Sequence, residues 1–559
     1  MGSLRETNPS LWVATTAPTD DPVDPTPLPS EPLDVVVIGG GIAGLTAARL
    51  LAADGARVAV LEAGRLSSGV TGYTTAKVTA LQGTTLGTLR DKHGDERTAA
   101  YAAANRAAVE RVARFVEEDG IDCDFERAPA VTYAASEDEA VAKVEAEHEA
   151  ATACGLPTRL SVATELPYEV RAAVWLDDQA QFHPRKYCLA LARAFAEAGG
   201  IVAERTRVHD VDEDDDGVTV QTDRGELRAN ECIVATHLPF LMAGAYFARA
   251  HPTRSYALAG RWTKPGAERA ERPKGMYISA DSTTRSIRST PDDWLILGGE
   301  GHKVGHDDDT RRRYETLVNW AKENFEGIEI VHQWSAQDYQ TVDGIPYIGP
   351  VTSGRPRTHV ATGFRKWGMT NGTVAGMILA DVIGGRPNAW AEAFDSTRLE
   401  PTKSMKSLVS ENLEVGKRFV ADRFQRTRDA SELKPDEGDI VELDGDTVAA
   451  YRDADGTLHA LSPVCTHMGC RVNFNTAERS WDCPCHGSRF GTDGRVLQGP
   501  ATKDLAPADA TDHTDAAPAP ADADAHADAH DAAAADDSAA DRDDAPAPAA
   551  ADDDSPIDA

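Results

Sequence analysis

Short apolar runs alternate with amphipathic segments over residues 33–401. Asp34–Ile38 and Arg57–Leu61 each show the continuous apolar pattern of a buried strand, and Leu45–Ala53 between them shows the pattern of a helix. Further along, Tyr101–Glu118 places its apolar residues on one helical face. Because strands that alternate with helices are typical of a parallel sheet covered by helices, this region predicts a Rossmann-like α/β domain.

The remainder of the chain has a different pattern. Residues 402–430 are charged, with apolar positions at helical spacing, and predict a helical linker. Residues 1–32 are polar and Pro-rich and residues 506–559 are acidic and low in complexity, so both predict disorder. Residues 431–505 contain short apolar runs separated by Asp-Gly turns, and they predict a small all-β module with strands at Asp439–Leu443, Thr447–Arg452 and Thr457–Leu461.

Composition narrows the range of functions. The 559 residues carry a formal net charge of −34, and an acidic chain repels phosphate backbones, so nucleic-acid binding is disfavoured. No apolar run in the sequence suits a signal peptide or is long enough to span a membrane, which favours a cytoplasmic protein without a membrane anchor. Four of the eight cysteines crowd into residues 465–485, and this crowding indicates metal or redox chemistry.

Two of these cysteines are spaced closely with histidines. Cys465 and His467 form a C-x-H pair, and after a gap of fifteen residues Cys483 and His486 form a C-x-x-H pair. Two thiolates and two imidazoles that converge from two tight loops suit a 2Fe–2S cluster with two cysteines on one iron and two histidines on the other. A structural zinc site also uses two cysteines and two histidines, but zinc motifs usually group the ligands by type.

Residues 431–505 resemble the Rieske domain family, which has the same two loops and the same assignment of cysteines and histidines to the two irons. The resemblance implies a disulfide between Cys470 and Cys485, as in the cytochrome bc branch of the family, whereas free thiols are the alternative in a reducing cytosol. Ser488 matches a residue that donates to a cluster sulfur. Phe490 stands where the high-potential branch usually has a tyrosine, so we expect a lower reduction potential.

A glycine motif follows the first predicted strand. Gly39 permits a tight turn, Gly41 lets a pyrophosphate approach the helix N-terminus, and Gly44 allows the helix and strand to pack closely. Glu62, at the end of the second strand, is placed to accept hydrogen bonds from ribose hydroxyls. The motif predicts a dinucleotide but does not decide between FAD and NAD. The predicted cofactor-binding residues in the turn are Gly39, Gly41, Ile42, Ala43 and Gly44.

Other segments resemble the FAD-dependent oxidoreductase family of the D-amino-acid oxidase and glycine oxidase type. Residues 361–372 place glycines before an apolar helix, like the loop that closes over the flavin in that family, and Asp343–Pro350 resembles another late element. The resemblance implies an antiparallel-sheet substrate domain and FAD, which we expect to be non-covalent because residues 67–82 contain no Cys or His. It adds as cofactor-binding residues Thr71, Thr75, Lys77, Gly363, Gly368, Met369 and Thr370.

Three residues are candidates for contact with the substrate or the reacting atoms. Arg288, near Arg285 on a predicted strand, suits bidentate binding of a carboxylate, although a surface strand of alternating charge has the same pattern. His302 follows a glycine-rich stretch that is equally compatible with a plain turn. Lys366 lies in the loop predicted to face the flavin, but lysines that face solvent are common.

The chain resembles those bacterial members of the oxidoreductase family that carry a C-terminal Rieske domain. A flavin accepts two electrons together and a Rieske cluster carries one at a time, so the pair predicts a dehydrogenase. We expect it to oxidise an amine or amino acid and to pass electrons through FAD and the cluster to an external one-electron carrier. Two alternatives stay open: a reductase or monooxygenase-like component in which electrons run inward to FAD, and a redox sensor or electron-transfer module without small-molecule turnover.

Overall fold

Two large sheets and two small ones form the framework of the protein. The structure, a computed structural model, describes residues 9–16, 27–262, 272–305, 309–398 and 427–508. Within these ranges the helices are α1 (Leu11–Ala14), α2 (Ile42–Ala53), α3 (Thr85–His93), α4 (Asp95–Glu118), α5 (Asp138–Ala153), α6 (Pro184–Glu197), α7 (Tyr246–Arg249), α8 (Thr310–Asn324), α9 (Gly368–Ile383) and α10 (Ala391–Phe394).

The strands in the same ranges belong to three regions of the chain. In the first region they are β1 (Leu33–Ile38), β2 (Val58–Leu61), β3 (Lys77–Val78), β4 (Glu126–Ala134), β5 (Arg159–Leu160), β6 (Ala172–Gln181), β7 (Ile201–Ala203), β8 (Val208–Asp214), β9 (Gly217–Thr222) and β10 (Gly225–Val234). In the second they are β11 (Ala250–Arg261), β12 (Met276–Ser279), β13 (Ser286–Ser289), β14 (Trp294–Lys303), β15 (Glu329–Thr341), β16 (Tyr347–Thr352) and β17 (Arg355–Thr362). In the third they are β18 (Arg428–Asp429), β19 (Glu437–Leu443), β20 (Asp446–Arg452), β21 (Leu458–Leu461), β22 (Asn473–Asn475), β23 (Ser480–Asp482), β24 (Arg489–Gly491) and β25 (Val496–Gln498).

The first large sheet has the order β16-β17-β10-β1-β2-β7, with β9 and β8 added beside β10. Strand β1 pairs in parallel with β10 and with β2. Its run is continuously apolar because Val35 and Val37 belong to one core, while Val36 and Ile38 belong to the core on the opposite face. The predicted α/β domain with a parallel sheet is therefore confirmed.

The second large sheet has the order β15-β11-β14-β13-β12-β4-β6-β3, with β5 beside β6. Its long strands β11, β14 and β15 pair antiparallel, whereas β12 and β4 pair in parallel. Helix α8 packs on this sheet through Tyr314, Leu317 and Ala321, and these residues share one apolar core with Leu258 and Leu297. The sheet confirms the predicted antiparallel second layer.

The C-terminal module consists of two four-stranded sheets, β18-β19-β20-β21 and β22-β23-β24-β25. Asp444 and Gly445 both have positive φ, +54° and +94°, as a two-residue turn between antiparallel strands requires. The structure extends the module beyond the predicted residues 431–505, since Arg428 already pairs with Val441 and Pro507 forms a bridge with Leu461.

The prediction of a disordered leader is wrong for residues 9–16. The Ser10 side chain accepts a hydrogen bond from the backbone N–H of Val13 at the start of α1, and Leu11 and Trp12 are each only 2% exposed. An apolar triplet inside a Pro-rich segment is thus enough to bury this short helix. Residues 399–426, which include most of the predicted helical linker, and the acidic tail from residue 509 lie outside the described ranges.

Candidate functional site

A cavity of about 1950 Å³ opens at the carboxyl ends of the parallel strands. Gly39 follows β1, Glu62 follows β2 and Thr236 follows β10, and all three residues line the cavity. The carboxyl edge of a parallel sheet is the usual place for a bound ligand in this kind of fold. The position of the cavity therefore agrees with the predicted dinucleotide site.

The glycine turn is shaped by close approaches. A Cβ atom at Gly39 would lie 2.4 Å from the Ala235 carbonyl oxygen, and Gly39 has a φ of +114°. A Cβ atom at Gly44 would lie 2.1 Å from the carbonyl oxygen of Gly39. Gly41 is the N-cap residue of α2, and together with Ile42 and Ala43 it lines the cavity, so the positive end of the helix faces the ligand space.

Glu62 is held by the backbone on both sides of its carboxylate. Its Oε2 atom accepts from the N–H of Gly40, and its Oε1 atom accepts from the N–H of Gly64, each at 2.8 Å. An ionised carboxylate has about four lone-pair positions, so Glu62 keeps acceptor capacity for ribose hydroxyls. Its place on the cavity wall fits the predicted role.

The remaining predicted cofactor residues divide into two groups. Among the described residues, those that line the cavity are Thr71, Thr75, Lys77, Gly368 and Met369. Gly44, Gly363 and Thr370 lie behind the wall. Gly363 has a φ of +77°, and a Cβ atom there would lie 2.2 Å from the Thr341 side chain. The Thr370 hydroxyl bonds the backbone of Thr79. Gly363 and Thr370 therefore support the loop at residues 364–369 from behind the cavity wall.

Lys77 lies on the cavity wall, and its side chain is buried. Its Nζ atom donates to the Tyr277 carbonyl oxygen and to the Ser286 hydroxyl, both at 2.5 Å. Burial, with a further contribution from the charge of Arg288, lowers the pKa of Lys77 well below its usual value. The charge of this lysine is therefore sensitive to a negative group in the cavity.

Two of the three catalytic candidates line the cavity. His302 places Nε2 3.0 Å from the Tyr256 hydroxyl. Lys366 donates from Nζ to the Ser255 hydroxyl at 2.7 Å, and burial lowers its pKa although Asp338 opposes this effect. The structure thus brings an imidazole and a lysine to the same cavity as the glycine turn.

The structure does not place Arg288, a candidate for binding a substrate carboxylate, on the cavity wall. Arg288 is 1% exposed and is not among the described cavity-lining residues. Its Nη1 atom donates to the Ala76 carbonyl oxygen at 2.9 Å, and its guanidinium lies 5.2 Å from the centre of the Trp12 ring. Helix α1 covers this arginine, which sequence analysis did not foresee. Arg285 pairs with Glu300 at 2.7 Å.

The second site lies in two loops of the C-terminal module. The thiols of Cys465 and Cys483 are buried and within hydrogen-bonding distance of each other. The rings of His467 and His486 have centroids 5.0 Å apart and are nearly perpendicular, at 86°. Phe247 packs on both rings, with centroid distances of 6.2 and 5.4 Å. The structure therefore brings the two predicted cysteine ligands together and the two predicted histidine ligands together.

These four residues fit a 2Fe–2S cluster. Among the described residues, the buried Nδ1 atoms of His467 and His486 have no hydrogen-bond partner, which is costly unless a metal takes that place. Burial lowers the pKa of His467 to about 4 and that of His486 to about 3, so both imidazoles are neutral, as metal binding requires. The glycine turn, the helix N-terminus and Glu62 likewise fit FAD.

A disulfide joins the two cluster loops. Cys470 and Cys485 are bonded, with 6.5 Å between their Cα atoms, as the resemblance implied. The sulfur atoms of these two residues lie within 4.8 Å of that of Cys483. Because two of the three sulfurs are already bonded to each other, this trio is not a separate metal site.

The two sites meet at a junction. Gln498 of the C-terminal module contacts His237 through an Nε2–Nδ1 distance of 2.8 Å, and His237 Nε2 lies 3.0 Å from Asp338 Oδ1. Asp338 also accepts from the backbone N–H of Lys366 in the flavin-facing loop. Gln498 lines the same cavity as Gly39, so both modules enclose one space.

Sequence analysis missed His237 and Asp338 as site residues, and it also missed the wall formed by Pro9, Val13 and Ala14. A signal existed for His237, which follows a strand that ends at the carboxyl edge of the sheet. No local signal marked Asp338, because its neighbours come from distant parts of the chain.

Comparison with known families agrees with both sites. Residues 34–382 match the family of FAD dependent oxidoreductases, and residues 424–509 match the Rieske [2Fe-2S] domain. The chain belongs to the FAD dependent oxidoreductase family and carries a C-terminal Rieske domain. It is therefore an FAD-dependent oxidoreductase with a Rieske 2Fe–2S centre.

A relative from Bacillus subtilis (strain 168), the Rieske 2Fe-2S iron-sulfur protein YhfW, is 35% identical over 85% of this chain and 93% of its own length. The cytochrome b6-f complex iron-sulfur subunit 1 of Nicotiana tabacum is 49% identical over 70 residues, 12% of this chain and 31% of that subunit. The fold is shared with glycine oxidase from Geobacillus kaustophilus, at a TM-score of 0.57 and 21% identity over 66% of this chain and all of that one. The fold is also shared with L-proline dehydrogenase from P. horikoshii, at a TM-score of 0.55 and 22% identity. This match covers 67% of this chain and 98% of the dehydrogenase.

Within the part of the chain that the structure describes, no helix combines the length and the apolar composition that a membrane crossing needs.

Proposed function

We propose that the protein dehydrogenates an amine or amino acid and sends the electrons one at a time through its Rieske centre to an external carrier. The carrying observation is the shared cavity, since Gln498 of the Rieske module and Gly39 of the dinucleotide turn line the same space. A flavoprotein that returns electrons directly to oxygen needs no second redox group beside its flavin. The fold shared with a glycine oxidase and an L-proline dehydrogenase supports a donor of this class.

The cavity wall contains groups that suit such a donor. Bound FAD would be held by the glycine turn, the N-terminus of α2 and Glu62, and it would supply two-electron acceptance. Beside it, Lys366, His302 and Arg313 line the cavity from three different elements. Cationic and hydrogen-bonding groups of this kind bind a carboxylate, which supports an amino acid more than a simple amine.

The test is anaerobic mixing of the holoprotein with a panel of amines and amino acids. We expect at least one donor to bleach the flavin absorbance, and the EPR signal of the reduced cluster to follow. The variant Cys465→Ser serves as the control, because loss of a ligand should remove the cluster signal while the flavin is still bleached. If no donor in the panel reduces the flavin, but a reduced one-electron carrier does so through the cluster, electrons run inward and the proposal fails.

A further inference from the structure

Two side chains of the flavin module reach the loop that carries the cluster ligand His486. The hydroxyl of Tyr339 donates to the carbonyl oxygen of His486 at 2.8 Å. The Nε2 atom of Gln337 donates to the carbonyl oxygen of Gly487 at 2.8 Å. Both side chains come from β15, and Tyr339 is fully buried. Part of the hydrogen bonding around the cluster loop is therefore supplied by the other module.

The loop fits against β15 without room for a side chain. Gly487 has a φ of +75°, and a Cβ atom there would lie 2.5 Å from Gln337 Nε2 and 2.9 Å from the Tyr339 hydroxyl. It would also lie 2.8 Å from Pro252 on β11. Such close contact on three sides holds the loop in one position relative to the sheet.

The backbone of the same tyrosine bonds the loop that lines the flavin cavity. Its carbonyl oxygen accepts from the N–H of Arg365 at 3.1 Å, and its neighbour Asp338 accepts from the N–H of Lys366. Arg365 and Lys366 have positive φ values of +55° and +68°, and both line the cavity. Tyr339 thus connects the flavin-facing loop directly with the loop of a cluster ligand.

We propose that Tyr339 is a positioning residue for the cluster, which holds the His486 loop against the flavin module and raises the reduction potential of the cluster. When the cluster is reduced, one Fe³⁺ becomes Fe²⁺ and the site gains one negative charge. An O–H group that donates to the ligand's carbonyl oxygen places positive charge near that electron and favours the reduced form. The proposal rests on the Rieske centre alone and not on the direction of electron flow.

The test is a redox titration of the full-length holoprotein and of Tyr339→Phe, with dithionite and mediator dyes and without any substrate, followed by EPR. Phenylalanine keeps the ring that packs on His237 at 4.6 Å and removes only the hydroxyl. We expect the midpoint potential to be lower in Tyr339→Phe than in the wild type. The equilibrium constant for reduction of the cluster should be about twofold to tenfold smaller, because the loss of one hydrogen bond has an effect of this size. The g-values of the reduced cluster should shift as well, because the orientation of His486 changes.

Tyr133→Phe is the matched control, because it removes the hydroxyl that Tyr133, on β4 of the second sheet, places 2.7 Å from the Tyr168 hydroxyl. Gln337→Met is a second test variant, which removes the donor to Gly487 and should also lower the potential. A potential and EPR spectrum that stay unchanged in Tyr339→Phe overturn the proposal, whatever Gln337→Met shows, and so does an equal shift in Tyr133→Phe. Because the titration uses a chemical reductant, it gives its answer even if no amine reduces the flavin.

Discussion

The side chain of Ser488 contacts a cluster ligand. Its hydroxyl hydrogen-bonds the Cys465 sulfur and also accepts from the backbone N–H of Ala501 at 3.0 Å. A donor to a ligand sulfur stabilises the reduced cluster, so we expect Ser488→Ala to lower the midpoint potential in an EPR-monitored titration. Ser462→Ala is the control, since the Ser462 hydroxyl accepts from the backbone N–H of Val464 at 3.3 Å. Equal potentials in the two variants would contradict this role.

Glu147 is a buried carboxyl group that makes the stability of the protein depend on pH. Its oxygens accept from the backbone N–H groups of Leu86 and Gly87, at 3.1 and 2.7 Å, but burial outweighs them and raises its pKa from 4.5 to about 8. Between pH 4.5 and about pH 8, Glu147 is therefore protonated in the folded protein and ionised in the unfolded chain. The contribution of protonated Glu147 to the free energy of unfolding is fully present below pH 4.5 and is lost as the pH rises through about 8.

The variant Glu147→Gln tests this effect, because an amide is neutral at every pH. We expect the wild-type free energy of unfolding to fall relative to the variant, by up to about 1.4 kcal/mol per pH unit between the two pKa values. Urea unfolding of both proteins at mildly acidic and mildly basic pH measures the difference. Parallel pH profiles would show that Glu147 is ionised throughout.

At the scale of elements, helix α1 is a wall of the flavin cavity. Trp12 is 2% exposed, donates from Nε1 to the Thr74 carbonyl oxygen at 2.6 Å, and packs on His183 at 4.9 Å. Truncation of a buried Trp costs about 3–5 kcal/mol. We therefore expect Trp12→Ala to lower the thermal midpoint and to release FAD during gel filtration. Val162→Ala is the control and should retain FAD, because Val162 is 58% exposed. Equal FAD retention by both variants would contradict the role of α1 as part of the cavity wall.

Local motifs were predictable from the sequence, whereas contacts between distant elements were not. The residues that form the glycine turn, and those that form each cluster loop, lie within a few positions of one another, so their spacing alone indicates their function. Arg288 looks like a surface or substrate residue because its strand alternates, yet helix α1 (Leu11–Ala14), far away at the other end of the sequence, covers it. His237 and Asp338 become a pair only when β10 and β15 converge, and no local pattern encodes that contact.

At the scale of the whole molecule, a buried ion pair joins the flavin module to the Rieske module. Arg254 on β11 donates from Nη2 to Asp482 Oδ2 at 2.9 Å, and the side chains are 1% and 5% exposed. Burial raises the pKa of Asp482, but Arg254 and Arg489 outweigh it and hold the pKa below its usual value. The resulting stabilisation is present above pH 3.8 and is lost as the pH falls through the lower folded pKa.

Removal of one partner of this pair should weaken the docking of the Rieske module. Arg254→Met leaves Asp482 with Arg489 as its remaining cationic partner, at 3.1 Å. A buried pair broken so that one charge is uncompensated costs about 3–5 kcal/mol, so we expect a cost up to that range. In urea we expect the flavin and cluster signals of the wild type to disappear together, and the cluster signal of Arg254→Met to disappear first. Asp177→Asn is the matched control, because it breaks an exposed pair with Arg159 that is worth about 0–1 kcal/mol.

A double-mutant cycle separates docking from simple loss of stability. Arg254→Met combined with Asp482→Asn removes the buried carboxylate, whose remaining cationic partner in Arg254→Met is Arg489 at 3.1 Å. Arg489 then keeps its ion pair with Glu478 at 3.8 Å and its hydrogen bond to the Ser480 hydroxyl at 3.1 Å, and the new amide oxygen is still able to accept from it. If the ion pair holds the modules together, the double variant should be less destabilised than the sum of the two single variants. Strict additivity would mean that Arg254 and Asp482 act independently, and that the hydrogen bonds of Tyr339 and Gln337 dock the cluster loop without this ion pair.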